Sequence, residues 1–313
     1  MARQAKASWL RRWLRGTTAL TGGMLALTGA ALANPQGPVV SAGQATITSK
    51  PNEIDVSLGS KSAVINWNSF NVSSGETVKF FGAPGGSVLN DVVGGGGASS
   101  IFGTISAPGL LFALSNPYGI LFGPGAQVSA ASVILTSARI GHDDFMAGKY
   151  NFSTPGNPNA AVVNQGTITV EQAGIAALVA PGAANSGVIN ARLSKVALAS
   201  ANTFYLDLYG DQLVSVAADK VMTTAVDANN NPLSAAVEQS GKIIADGGSV
   251  QITANVARDV VSSAINLSGV VQAQAISQQG GSIVLAGGDG VVNIASRASS
   301  MRPAAVPVNR AAR

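Results

Sequence analysis

The stretch GTITVEQAGIAALVAPGAANSGVINARLSKVALAS, residues 166–200, decides the fold. Gly166 is followed by Ile168 and Val170, then by Ile175 and Ala177. Gly187 is followed by Ile189 and Ala191, then by Val196 and Leu198. Further on, Gly241 is followed by Ile243 and Ala245, then by Val250 and Ile252. The offsets from the glycine are the same in all three copies: +2, +4, +9 and +11. A fourth copy opens at Gly269 with Val271 and Ala273, but its Ile283 and Leu285 come five residues late. Alternation by two marks a strand. Two short strands at fixed distances from a turn glycine describe one coil of a solenoid, and the 21 residues from Gly166 to Gly187 suit such a coil. The alternating apolar residues are expected to point inward and stack on their counterparts in the next coil. A β-sandwich of hairpins also explains the alternation, but not the repeated offsets.

Working outward, strand-sized alternation continues upstream in QATITS (44–49), NEIDVSLG (52–59), AVINWNSFNV (63–72) and ETVKFF (76–81). Turn residues separate these runs every 8 to 12 positions or so, the mark of an all-β chain. Trp67 and Phe70 alternate with Asn66, Asn68 and Asn71, a pattern that favours core stacking over a sugar platform. Residues 200–220 are more aromatic and break the register, so they read as an elaborated coil or a β-hairpin excursion. Residues 227–232, DANNNP, read as a loop. From Ser296 the alternation stops and Pro and Arg accumulate, which predicts a disordered tail over 297–313.

The first 33 residues read as a secretory signal. Arg3, Lys6, Arg11, Arg12 and Arg15 form a basic start without an acid, a small-residue apolar run follows, and Ala31-Leu32-Ala33 has the A-x-A form of a cleavage site before Asn34. The 19 basic residues less the 5 of this leader leave 14 against 15 acidic ones, so the net charge of +4 belongs to the leader. The body gives no electrostatic footprint for nucleic acid. Cysteine is absent although export would permit disulfides. Hydrophobic residues at 46% against 11% charged exclude disorder as the general state, and 37 glycines favour strands and turns.

Candidate catalytic groups are sparse. His142 is the sole histidine, so neither a His-based triad nor a His-rich metal site can be assembled, and with Asp143 and Asp144 it reads as a polar loop. Asp227, Asn229, Asn231 and Glu238 imitate EF-hand positions 1, 3, 5 and 12, but Pro232 stands where the turn needs Gly. Residues 94–97 are all Gly, without the Lys-Ser/Thr that a phosphate loop requires. No cofactor is called for. The competing class is a polysaccharide lyase or hydrolase, which needs carboxylates gathered with Lys or Arg.

Residues 34–225 resemble the filamentous haemagglutinin N-terminal domain of two-partner secretion exoproteins. The resemblance is carried, in order, by NPQGPVVSAGQATI at 34–47, INWNSFNVSSGETVKF at 65–80, SVLNDVVGG at 87–95, SSIFGTISAPGLLFALSNPYGILFGPGAQV at 99–128 and SVILTSARI at 132–140. Residues 226–296 look like further coils of the shaft that such proteins carry. The resemblance implies a right-handed parallel β-helix with short β-hairpin excursions near its N-terminal cap. It also implies export through a dedicated outer-membrane barrel, via the periplasm of a Gram-negative bacterium, to the medium or the cell surface. An adhesin-like role implies a host-cell surface or glycan receptor. The family's N-P-N-G-I secretion motif falls on Asn116, Pro117, Tyr118, Gly119 and Ile120, with Tyr118 in place of the second Asn. Its N-R-V falls on Asn90, Asp91 and Val92, an acid replacing the base. Pro at the second and Gly at the fourth position of 116–119 also suit a plain β-turn. Both readings of that turn, structural corner and transporter label, stand.

Overall fold

The computed structural model describes residues 34–301 except 208–212, 218, 222, 228, 258–259, 276–280, 289–290 and 296–298. Signal residues Ala31 and Ala33 and most of the expected tail therefore lie outside the described residues. The chain opens with β1 (Val39–Lys50) and β2 (Glu53–Trp67), an antiparallel pair with register shifts at Val40/Ala42 and Gly43/Ala45. Next come β3 (Thr77–Phe81), β4 (Gly86–Val92), β5 (Ser99–Ile101), β6 (Thr104–Ser115), β7 (Ile120–Phe122) and β8 (Gln127–Thr136). The helix α1 (His142–Met146) and β9 (Asn151–Phe152) follow.

Two triplets come next: β10 (Ala161–Asn164), β11 (Thr167–Val170) and β12 (Ile175–Ala180), then β13 (Gly182–Asn185), β14 (Val188–Asn190) and β15 (Lys195–Ser200). A hairpin, β16 (Phe204–Leu206) and β17 (Val214–Val216), interrupts them. The triplets resume as β18 (Ala235–Gln239), β19 (Lys242–Ile244) and β20 (Ser249–Ala254), and β21 (Ser263–Leu267), β22 (Val270–Gln272) and β23 (Ser282–Ala286). The last described strands are β24 (Val292–Ile294) and β25 (Ser299–Met301).

Each triplet pairs in parallel with the one before it, giving three ladders. One runs β3-β6-β8-β11-β14-β19-β22-β25. A second runs β4-β6-β8-β12-β15-β20-β23. The third runs β5-β7-β10-β13-β18-β21-β24. The long strands β6 and β8 serve the first two ladders at once. Identical positions therefore form columns. Ile105, Val128, Ile168, Ile189, Ile243 and Val271 lie in one such column, all at most 1% exposed. This is the column set at +2 by the repeat glycines. Trp67 and Phe70 are fully buried in the same core, edge to face at 5.4 Å, as core stacking requires.

The repeat glycines are needed for close approach. A Cβ on Gly187 would lie 2.2 Å from the Gly166 carbonyl oxygen, one on Gly241 2.1 Å from that of Gly187, and one on Gly269 2.2 Å from that of Gly241. The next amide in each case donates to that same carbonyl, as Val188 N–H does to Gly166 at 2.9 Å. The glycines thus form their own column, with no room between layers for a side chain.

The inward assignment of the second strand needs correction in the first copy. Ala176 aligns with Val196 and Val250, and Leu178 aligns with Leu198 and Ile252. Ile175 and Ala177, expected inside, belong to a second apolar cluster on the outer face. The turn before β12 is one residue longer than its successors, and a shift of one residue exchanges the two faces of a strand. The sequence hides the slip because β12 is buried on both sides. Its outer cover is the small antiparallel sheet β9-β16-β17, with α1 adding Phe145 to the same cluster. Residues 200–220 thus include a hairpin excursion. His142 opens a one-turn helix rather than a polar loop. In the fourth copy Ile283 aligns with Val250 and Leu285 with Ile252, so the late arrival is absorbed between the strands.

Candidate functional site

The corner between β6 and β7 is residues 116–119. Asn116 accepts the Gly119 N–H at 2.9 Å through its backbone carbonyl and the Tyr118 N–H at 2.9 Å through Oδ1, closing the turn twice. Its Nδ2 donates to the Gly97 carbonyl and to Ser99 Oγ, both at 3.0 Å, and the side chain is buried. Asn116 therefore ties its own corner to the preceding one. The Pro117 carbonyl accepts the Asn157 N–H at 2.8 Å, which ties it to the following one. Gly119 has φ +104°, and a Cβ there would sit 2.5 Å from the Ala161 carbonyl oxygen. Ile120 is buried in the column Ser99, Ile120, Val162. Tyr118 alone among the large side chains of this motif faces solvent, at 44% exposure.

The second motif is adjacent. β4 pairs with β6 so that Asn90 lies beside Leu114 and Asp91 beside Ser115, one residue before the corner. Asn90 is fully buried; its Oδ1 accepts from Trp67 Nε1 at 3.0 Å and its Nδ2 donates to the Ala113 carbonyl at 3.2 Å. Val92 is in the core. Asn34, next to the expected cleavage point, is half-buried, and its carbonyl accepts Gln36 Nε2 at 2.7 Å.

The sequence profile of the TPS (two-partner secretion) secretion domain family matches residues 31–299. This chain belongs to that family. A heme/hemopexin-binding protein of Haemophilus influenzae strain Rd is 27% identical over 267 residues, 83% of this chain and 28% of the relative. A second Haemophilus influenzae heme/hemopexin-binding protein is 29% identical over 102 residues, 33% of this chain and 11% of that one. The chain thus spans less than a third of the length of either relative. Among solved structures, the HMW1 secretion domain of Haemophilus influenzae is similar, with TM-score 0.69 at 23% identity over 86% of this chain and 66% of that one.

Three features of this TPS domain escape the sequence motifs. Arg139, in the segment after β8, reaches the acid that replaces the family's base. Its Nε lies 3.4 Å from Asp91 Oδ1, and its Nη2 donates to the Val92 carbonyl at 2.7 Å. Burial pushes the Asp91 carboxyl above the usual aspartate range, against the opposing pull of the Arg139 guanidinium. The folded state therefore binds this proton more tightly than the unfolded state does. Stability on account of Asp91 falls as pH rises from the ordinary aspartate value of 3.8 through its own raised midpoint. A carboxyl-carbon NMR titration should place Asp91 above the ordinary aspartate value of 3.8, and Arg139→Gln should move it higher still.

The second feature is a buried amide stack. Asn164 Nδ2 donates to Asn185 Oδ1 at 2.7 Å, and Asn185 Nδ2 donates to Gln239 Oε1 at 2.7 Å. All three are at most 1% exposed. Each stands two residues before a repeat glycine, a signal present in the sequence as NQG, NSG and QSG. The third is Ser99, whose hydroxyl receives Asn116.

The EF-hand-like carboxylates bond within their own loop. Asp227 Oδ1 accepts the Asn229 and Asn231 N–H groups, both at 2.9 Å, and Glu238 Oε1 accepts from Ser234 and Ala235. These carboxylates hold their own loop. Among the described residues no group of three His, Cys, Asp or Glu side chains could hold a metal ion.

Proposed function

We propose that this chain is a secreted, non-enzymatic exoprotein handed across the outer membrane by a dedicated two-partner transporter. Family membership over residues 31–299 is the observation that carries the reading. Residues 1–33 are the signal peptide, cleaved between Ala33 and Asn34. Residues 34–225 are the part addressed to the transporter and 226–296 continue the shaft; the tail expected over 297–313 is corrected at Ser299–Met301, which pair with β22 and extend the first ladder. The parallel ladders favour a right-handed β-helix, since crossovers between parallel strands are right-handed in about 98% of cases. The destination is the medium or the cell surface, and the activity there is adhesive, toward a host-cell surface or glycan.

Within that reading the 116–120 motif is a structural corner first and a transporter label second. The bonds of Asn116 support the first role, and the exposure of Tyr118 leaves one side chain for the second. Asn90 and Val92 serve the corner from the neighbouring strand. Asn116→Ala is expected to lower stability by about 2–3 kcal/mol, since buried partners lose their hydrogen bonds. Tyr118→Ala is expected to change it by under about 0.5 kcal/mol.

The test is expression of the full chain in a Gram-negative host with and without the transporter. Processed chain in the medium only when the transporter is present supports the proposal; equal release without it, or none with it, overturns it. If Tyr118→Ala lowers export while Asn116→Ala leaves it unchanged, label ranks above corner.

A further inference from the structure

The sheet β9-β16-β17 has two unlike faces. On one, Phe152 stacks on Phe204 with ring centroids 4.6 Å apart, and Leu206 and Val214 join them in the outer apolar cluster. On the other, Tyr205 stands 44% exposed, with Asn151 and Ser215 directly beside it on the two flanking strands. Ser153, Thr203 and Ala217, with Phe204 and Val216 at the strand backbone, complete the wall of a shallow cavity of about 220 Å³ over this face. Among the described residues the side chains of Asn151, Ser153, Thr203 and Ser215 make no hydrogen bond.

We propose that this face binds one ring of an uncharged saccharide, with Tyr205 as its platform. A tyrosine ring offers a rigid apolar surface at little cost in conformational freedom. A pyranose has an apolar face of C–H groups to lay on it and a rim of hydroxyls, each both donor and acceptor. The amide of Asn151 and the hydroxyls of Ser153, Thr203 and Ser215 supply the matching partners. Among the described residues no carboxylate, ammonium or guanidinium lines the cavity, so an anionic ligand finds no counter-charge there. At about 220 Å³ the space is below the roughly 300–1,000 Å³ of pockets for drug-sized molecules, which suits a single ring. A protein partner, needing about 800 Å² per side, is poorly matched to one aromatic residue and a rim of small polar ones. The inference rests on the adhesive part of the proposed function and is independent of the export part.

The experiment uses the processed chain, recovered from the medium or, for a variant that is not exported, from the periplasm, titrated with lactose, mannotriose and chitotriose and, as charged controls, sialyllactose and a sulfated lactose. Saturation-transfer NMR reads binding. At least one neutral sugar is expected to bind at about millimolar Kd. Tyr205→Ala should weaken it by about tenfold or more, with an unchanged melting temperature, whereas Tyr205→Phe should retain it. Binding of only the charged sugars, no binding of any, or indifference to Tyr205→Ala overturns the proposal. Loss of export in Tyr205→Ala without an effect on sugar binding would instead assign the face to the transporter.

Discussion

Gly187→Ala is expected to destabilise the fold by about 4 kcal/mol or more, a size reserved for a few mechanisms such as forced overpacking. Replacing Gly by Ala where the backbone permits usually stabilises by about 0.4–1 kcal/mol, because the unfolded chain loses freedom. Gly187 has no positive φ to forbid Ala; the obstacle is the Gly166 carbonyl oxygen 2.2 Å from the new methyl, backed by the Gln165 carbonyl carbon at 2.7 Å. Both are backbone atoms locked into the ladder, so relief means prising two layers apart. Gly96 is the control: it is exposed, and a Cβ there meets nothing within 4 Å. Chemical denaturation of the two variants should give shifts of opposite sign or, at least, one large and one near zero. Equal small shifts would mean the layers yield easily.

Asn185→Ala is the second large effect, expected at about 2–6 kcal/mol. It strands two buried groups, Asn164 Nδ2 below and Gln239 Oε1 above, at roughly 1–3 kcal/mol each. The flanking positions in this column are apolar, with Phe122 before Asn164 and Leu267 after Gln239. Apolar residues at two adjacent positions therefore have precedent in the same column, as Ile101 with Phe122 and Leu267 with Ile294. Asn185→Leu and Gln239→Leu together should cost less than the sum of the single changes, because the second removes a group the first has orphaned. A strictly additive cycle would show that the amides do not depend on one another.

The repeat was legible because its glycines answer to a constraint that only Gly meets, and constraints of that kind recur at fixed spacing. The column of Ile168, Ile189 and Ile243 followed directly from it. The facing of β12 was not legible, since Ile175, Ala176, Ala177 and Leu178 are all apolar and a strand covered on both sides carries no alternation to read. What covers it, Phe152 and Phe204, comes from segments 52 residues apart in the chain. At the corner, Pro117 and Gly119 announced a turn, and the turn is there. The partners of Asn116 at Gly97 and Ser99 depend on which corner lies beneath which, a fact of stacking order that local sequence does not hold. The pairing of Asp91 with Arg139 is of the same kind, 48 residues apart and visible only once β4 lies beside β6 and β6 beside β8.

The antiparallel β1 gives the assembly a direction. β1 covers one edge of β2 and runs opposite to every strand in the ladders, with two register shifts along its length and Lys50 at its end. An edge so broken and charged is a poor template for another strand. New layers can be laid down with matching polarity only on the other side. The architecture therefore resembles a filament with a blocked end and a growing end. A further strand of matching polarity finds its template beyond the last layer of the ladders, on the side away from β1.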